Sequence, residues 1–247
     1  MTGKTARAAA LVALAAVVVL SFGGLGSSAE ARSADRSASC AGKGDVIFRA
    51  PDLARLVGHS FGRGKTAVVL AHQSRANFCQ WVSYARRLAA RGYTAFVFDF
   101  RNNGRSQQVG YGRAGRLAGD VAGAVRYVRA RGATKVFLVG ASMGGTAVLA
   151  AAANIKPAVT GVASLSGPRS SGGVDADAAV PRLRVPVLYI VAEEDAGGAF
   201  AADAQALYDR TASSDKKLEV LPGFSHGVSL VAFPGTARDL LEQFLRR

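Results

Sequence analysis

Two serines in this 247-residue chain stand in the pattern Gly-x-Ser-x-Gly: Ser142 in "GASMG" and Ser225 in "GFSHG". A serine hydroxyl becomes a useful nucleophile only when a neighbouring base takes its proton. In a chain with 29 glycines the pattern alone is weak, because serine and glycine also make ordinary turns. Context separates the two. "KVFLVG" before Ser142 reads as a strand, and the alanine-rich run behind it reads as a helix. That is the strand–turn–helix corner on which a nucleophile is held. "GFSHG" runs instead through "VSLVAFPG" past Pro234. Ser225 is therefore read as turn chemistry and Ser142 as the nucleophile.

Bases are scarce: the only histidines are His59, His72 and His226. His226 follows the last expected strand, beyond its C-terminal end, where Ser142 should also sit. His59 falls in an early hairpin, away from that end. His72 ends its strand on the correct side, but its neighbours suggest another role. An imidazole acting as base needs a carboxylate to hold its tautomer and support its positive charge. "LYIVAEEDAGG" ends a strand with Glu193, Glu194 and Asp195. Asp195, at the start of the loop before a glycine pair, is the expected partner, and Glu194 is held in reserve. The competing reading is a solvated acidic turn leading into a helix.

These side chains need a frame that brings them together. "DVIFRA" and "ARLVGHSF" read as a leading hairpin, and "TAVVLAH", "YTAFVFDF", "KVFLVG", "VTGVASLSG", "VPVLYIVAEE" and "KKLEVLPG" as further strands. Helical runs alternate with them. "QWVSYARRLAARG" puts Trp81, Tyr84, Ala85, Leu88 and Ala89 on one stripe, with Gly92 at the C-cap. "RLAGDVAGAVRYVRARG", the alanine run, a stretch from about Phe200 to Tyr208 and one near Thr236 to Phe244 follow. Such alternation predicts an α/β fold with a mostly parallel central sheet and helices on both faces. Sites on such sheets lie beyond the C-terminal strand ends.

Two phosphate motifs fail on inspection. "GRGKT" lacks the leading glycine of a P-loop, where His59 stands, and it precedes a strand. "GASMGG" has serine where a dinucleotide fingerprint needs its second glycine. No cofactor and no metal is expected.

The N-terminus reads as a separate piece. Lys4 and Arg7 precede the apolar "AAALVALAAVVVL", and "AEA" ends at Ala31. This is the layout of a secretory signal peptide over residues 1–31; an uncleaved anchor is the rival, although the apolar run is short for a span. Residues 32–44 read as a flexible leader and 45–247 as one catalytic domain, so the chain is expected to be secreted. Cys40 lies too far beyond the apolar run to be a lipidated cysteine. Two cysteines in an exported chain, Cys40 and Cys79, predict a disulfide. The net charge of +14 comes mostly from scattered arginines, densest at Arg113, Arg116, Arg126, Arg129 and Arg131. No basic block is interleaved with aromatics, so a nucleic-acid partner is not supported.

Taken together, "GASMGG", the Asp195 loop, "GFSHG", the turn "FDFRNNGRS" and the loop "LAHQS" resemble the α/β-hydrolase superfamily over nearly the whole mature length. The likeness is to lidless serine esterases of the dienelactone-hydrolase and carboxylesterase kind. The resemblance implies an acyl-enzyme mechanism in which Ser142 attacks an ester carbonyl, His226 shuttles the proton and Asp195 orients His226. It implies an oxyanion hole from the backbone N–H of Met143 and a second N–H from Gln73 or Ser74, where many relatives have His-Gly. Asn102 replaces a glycine of the family's turn and tolerates the left-handed conformation.

"PRSSGGVDADAAVPRLR" stands where larger relatives insert a helical lid, and it is too short and polar to build one. An open pocket, a small-molecule ester substrate and a preference for short acyl chains are expected. A lipase, polyester hydrolase or peptidase on the same fold, a non-catalytic binding protein or a surface-anchored scaffold are the alternatives. The oligomeric state is open, and a monomer is compatible with the sequence.

Overall fold

The structure, a computed structural model, describes residues 40–247. The expected signal peptide, residues 1–31, and most of the expected leader lie outside the described residues. The chain lays down β1 (Val46–Arg49), β2 (Arg55–Phe61) and β3 (Thr66–Ala71), then a 3₁₀ turn (Phe78–Trp81) and α1 (Val82–Ala90). It continues with β4 (Thr94–Phe98), α2 (Tyr111–Ala114), α3 (Leu117–Ala130), β5 (Lys135–Ala141), α4 (Met143–Ala152) and β6 (Gly161–Leu165). A ribbon of β7 (Ser170–Ser171) and β8 (Val174–Asp175) leads to β9 (Val187–Ala192). The chain ends with α5 (Ala199–Arg210), β10 (Lys216–Leu221), α6 (Ser229–Ala232) and α7 (Thr236–Phe244).

The main sheet has the order β1-β2-β4-β3-β5-β6-β9-β10. β2 pairs antiparallel with both β1 and β4, and every pair from β4 to β10 is parallel. Parallel strands covered on both faces bury every side chain, so they read as continuous apolar runs. The period-2 pleat divides those runs between two cores. From β3, Ala67, Val69 and Ala71 join the cluster under α3 and α4, while Val68 and Leu70 join the cluster under α1 and α7. From β9, Val187 and Tyr189 go to the first face and Leu188 and Ile190 to the second.

The expected alternation is present. The differences lie in short elements that periodicity cannot find. Residues 111–114 form a single helical turn, 170–175 a two-stranded ribbon, and 229–232 a short helix behind "GFSHG". No helical lid follows β6. Among the described residues no helix is long and apolar enough to cross a membrane.

Candidate active site

β3 lies between β4 and β5, so the chain runs outward from β3 in opposite directions on either side of it. Such a switch point opens a crevice at the C-terminal strand ends. The register makes those ends coincide. Ala71 faces both Phe98 and Gly140, Ala141 faces Leu165, and Ala192 faces Leu221. The segments leaving this edge carry His72 to Ser74, Ser142, Ser166, Asp195 and His226.

Ser142 turns the chain from β5 into α4 at φ 50°, ψ −120°, a backbone region that is costly for any residue but glycine. The flanking glycines make the corner possible for steric reasons. A Cβ on Gly140 would stand 2.1 Å from Gly144 O, and one on Gly144 would stand 2.4 Å from Ala71 O. The Ser142 N–H donates to Leu165 O at 2.8 Å, which ties the corner to β6. Met143 opens α4, so its N–H has no acceptor within the helix.

Asp195 is held by a turn in which Ala196, Gly197 and Gly198 all take positive φ (49°, 68° and 88°). The glycine pair supplies two of those conformations at no steric cost. The turn buries Asp195 to 2% exposure, and its carboxylate oxygens lie 2.9 and 2.8 Å from His226 Nδ1. The side chain of Glu194 is turned out to solvent. With Nδ1 facing the carboxylate, the proton belongs on Nδ1 and the lone pair on Nε2. The Phe200 ring packs against the imidazole, its centroid 4.5 Å away.

The loop that carries His226 is seated against the elbow. Gly227 N–H donates to Ser166 Oγ at 3.1 Å, and Val228 N–H donates to Gln73 Oε1 at 2.9 Å. At φ +56° a Cβ on Gly227 would come within 2.6 Å of Gln73 Oε1 and 3.3 Å of the Ala141 side chain. No described hydrogen bond joins the Ser142 hydroxyl to His226. Nucleophile–base contacts are often long without substrate and tighten in the reacting complex.

The two candidate oxyanion donors differ in their surroundings. Gln73 N–H is committed to Gln80 Oε1 at 2.7 Å, while no described group accepts from Ser74 N–H. His72 is fully buried. Its Nδ1–H donates to Gln73 O at 2.7 Å and its Nε2 accepts from Phe100 N–H at 3.0 Å. Burial lowers its pKa to about 4, so it is a neutral strut rather than a base. His59 Nδ1 pairs with Asp45 at 2.8 Å on the antiparallel side of the sheet. Ser225 is exposed. The β7–β8 ribbon lies beside the elbow: a Cβ on Gly172 would meet Leu117 at 2.7 Å and Met143 Sδ at 3.2 Å.

"FDFRNNGRS" supports the site from behind. Asp99 accepts from Phe78 N–H (2.8 Å) and Arg105 N–H (3.0 Å), and so anchors the turn that carries Gln80. Buried Arg101 is gripped by Asp120 and Asp52. Asn102 takes φ +62°, and its Oδ1 accepts from Val109 N–H. The sequence reading missed Gln80, Ser166 and Phe200. Ser166 and Phe200 are distant in sequence from the groups they touch, Gln80 lies seven residues from Gln73, and no local pattern marks any of the three.

The family described as alpha/beta hydrolase fold matches residues 66–224. A search of curated proteins finds no match. Solved structures share the fold. The Pyrococcus furiosus esterase Pf2001 superposes with TM-score 0.70 at 17% identity, over 83% of this chain and 89% of that chain. The esterase RhEst1 from Rhodococcus sp. ECU1013 gives 0.68 at 19% identity, over 82% and 98%. A bromoperoxidase from Bacillus anthracis gives 0.66 at 15% identity, over 83% and 100%. Likeness at this level of identity speaks for the fold alone.

Proposed function

The chain belongs to the alpha/beta hydrolase family, and from that premise we propose that it hydrolyses carboxylic esters through an acyl-enzyme on Ser142. One observation carries the reading. The buried Asp195 carboxylate grips Nδ1 of His226 at 2.8–2.9 Å, at the same strand-end edge where Ser142 is held in a strained elbow. In this reading His226 Nε2 takes the Ser142 proton as Oγ adds to the ester carbonyl. Asp195 stays ionised and supports the imidazolium. The N–H groups of Met143 and Ser74 receive the oxyanion, and such donors are worth about 10²–10³ in rate apiece. Collapse expels the alcohol, which takes its proton from His226. Water then repeats the cycle and releases the acid.

A short acyl chain suits this site. The segment after β6 is a ribbon of small and polar residues, which offers little surface for a long chain. Secretion is part of the same proposal: the N-terminal pattern supports it, and so does the Cys40–Cys79 bridge, since disulfides persist in oxidising compartments.

The test is labelling with a fluorophosphonate probe together with turnover of p-nitrophenyl acetate. The probe should add at Ser142, and Ser142→Ala or His226→Ala should each lower kcat by several orders of magnitude, because such residues act as a unit. Near-normal turnover in Ser142→Ala would remove Ser142 from the chemistry. The mass of the exported chain tests cleavage after Ala31.

A further inference from the structure

We propose that Gln73 is a positioning residue: its side chain locks the loop carrying His226 to the end of β3, and Gln80 braces it. The proposal rests on the serine-hydrolase reading above. Three polar groups of Gln73 are committed to three different partners. Its N–H donates to Gln80 Oε1 at 2.7 Å, its carbonyl accepts from His72 Nδ1–H at 2.7 Å, and its Oε1 accepts from Val228 N–H at 2.9 Å. The last bond joins residues 155 apart in sequence.

That bond matters because of where Val228 stands. The two amides that follow His226 in the chain, Gly227 and Val228, donate to Ser166 Oγ and Gln73 Oε1 respectively. On the other side of His226, Phe224 is 81% exposed and Ser225 is exposed as well. On that flank the nearest backbone tether is Gly223, whose carbonyl accepts from Glu194 N–H at 2.9 Å, so Ser166 and Gln73 hold the residues that adjoin His226 directly. Asp195 sets how the imidazole ring turns, while Ser166 and Gln73 set where its backbone lies. Gly227 has no room for a Cβ against the Gln73 carboxamide, so the two are in close contact.

Gln80 gives Gln73 its rigidity. It sits in the 3₁₀ turn whose start is capped by Asn77 Oδ1 on Cys79 N–H and by Asp99 on Phe78 N–H. Capping Gln73 N–H also leaves the neighbouring Ser74 N–H as the one of the two with no described acceptor. Misplacement of a reacting group by about 1 Å costs on the order of 100-fold in rate. A loosened His226 loop should therefore be read in kcat rather than in substrate binding.

The experiment is a double-mutant cycle on p-nitrophenyl acetate. Gln73→Met keeps the length of the side chain and removes the acceptor. Val228→Pro removes the donor at a residue whose φ is already −61°, the value proline imposes. Each single change should lower kcat by about 10- to 100-fold, with KM within about threefold. The double variant should lose no more than the worse single, since both changes delete one bond. Gln80→Met should give a smaller loss of the same kind, and it remains available if a cycle member does not fold. A Gln73→Met enzyme within twofold of wild type, or single losses that multiply in the double variant, would overturn the proposal. Absence of turnover and of Ser142 labelling in the wild-type protein would instead defeat the serine-hydrolase reading on which it rests.

Discussion

Asp195 presents both carboxylate oxygens to Nδ1 of His226, at 2.9 and 2.8 Å, although 31 residues separate them in the chain. Glu194, its neighbour, faces solvent. Asp195→Asn should therefore lower kcat by about 10⁴, because the imidazole loses both its tautomer and its counter-charge. Glu194→Gln should stay within about twofold, as exposed positions usually do. Equal effects in the two variants, measured on p-nitrophenyl acetate, would show that the carboxylate identified here is the wrong one.

Gly144 has no room for a methyl group. Its Cβ would lie 2.4 Å from Ala71 O and 2.7 Å from His72 O, both backbone atoms. Gly144→Ala should destabilise by about 1–3 kcal/mol, as overpacking does. Gly112→Ala, with nothing within 4 Å, should be neutral. Urea unfolding of the two variants makes the comparison.

The Cys40–Cys79 bridge spans 39 residues with Cα atoms 5.8 Å apart. Loop closure of that size stabilises by about 3–4 kcal/mol. Paired replacement of both cysteines by serine should lower stability by that amount. Two reactive thiols per chain in the unfolded, unreduced protein would exclude the bridge.

Two buried groups give opposing pH dependences. Burial lowers His72 from 6.5 to about 4, so its contribution is present above pH 6.5 and is lost as pH falls toward 4. Burial raises Asp99 from 3.8 to about 6, so its contribution is present below pH 4 and is lost as pH rises toward 6. Each is on the order of 3 kcal/mol, and between pH 4 and 6 they offset one another. Asp99→Asn should unmask the His72 term. Its unfolding free energy should fall more steeply than that of wild type between pH 6.5 and 4. Parallel slopes in urea titrations would contradict this.

Acyl-chain preference follows from the ribbon that stands in place of a lid. Each CH₂ buried in an apolar groove is worth about 0.8 kcal/mol, so an enzyme that gripped long chains would gain steadily with length. Here kcat/KM for p-nitrophenyl esters from acetate to palmitate should peak at short chains. A monotonic rise beyond octanoate would point to a groove and to a lipase or polyester hydrolase.

The sequence by itself determined the features whose physical cause is local. A backbone corner at Ser142 that only glycine neighbours can flank writes those glycines at 140 and 144. A turn with successive positive φ values writes Gly197 and Gly198 after Asp195. Strands buried on both faces write uninterrupted apolar runs, and that was enough for the central parallel strands and for the ends that carry Ser142 and Asp195; the half-exposed edge strand β10, before His226, writes the mixed run "KKLEVL" instead. Other decisions belonged to the tertiary structure. The bond from Gln73 to Val228 joins opposite parts of the chain, and nothing in "AHQS" or "SHGVS" announces it. Whether Glu194 or Asp195 turns inward depends on one residue of phase at a strand end, a phase that packing against β10 and the Gly223 carbonyl sets. His72 reads in sequence as a histidine at the correct edge whose neighbours suggest a role other than base, without saying which. Only the surrounding fold, which buries it and occupies both its nitrogens, makes it a neutral strut, because the cost of charging a histidine depends on how much water its neighbours have excluded.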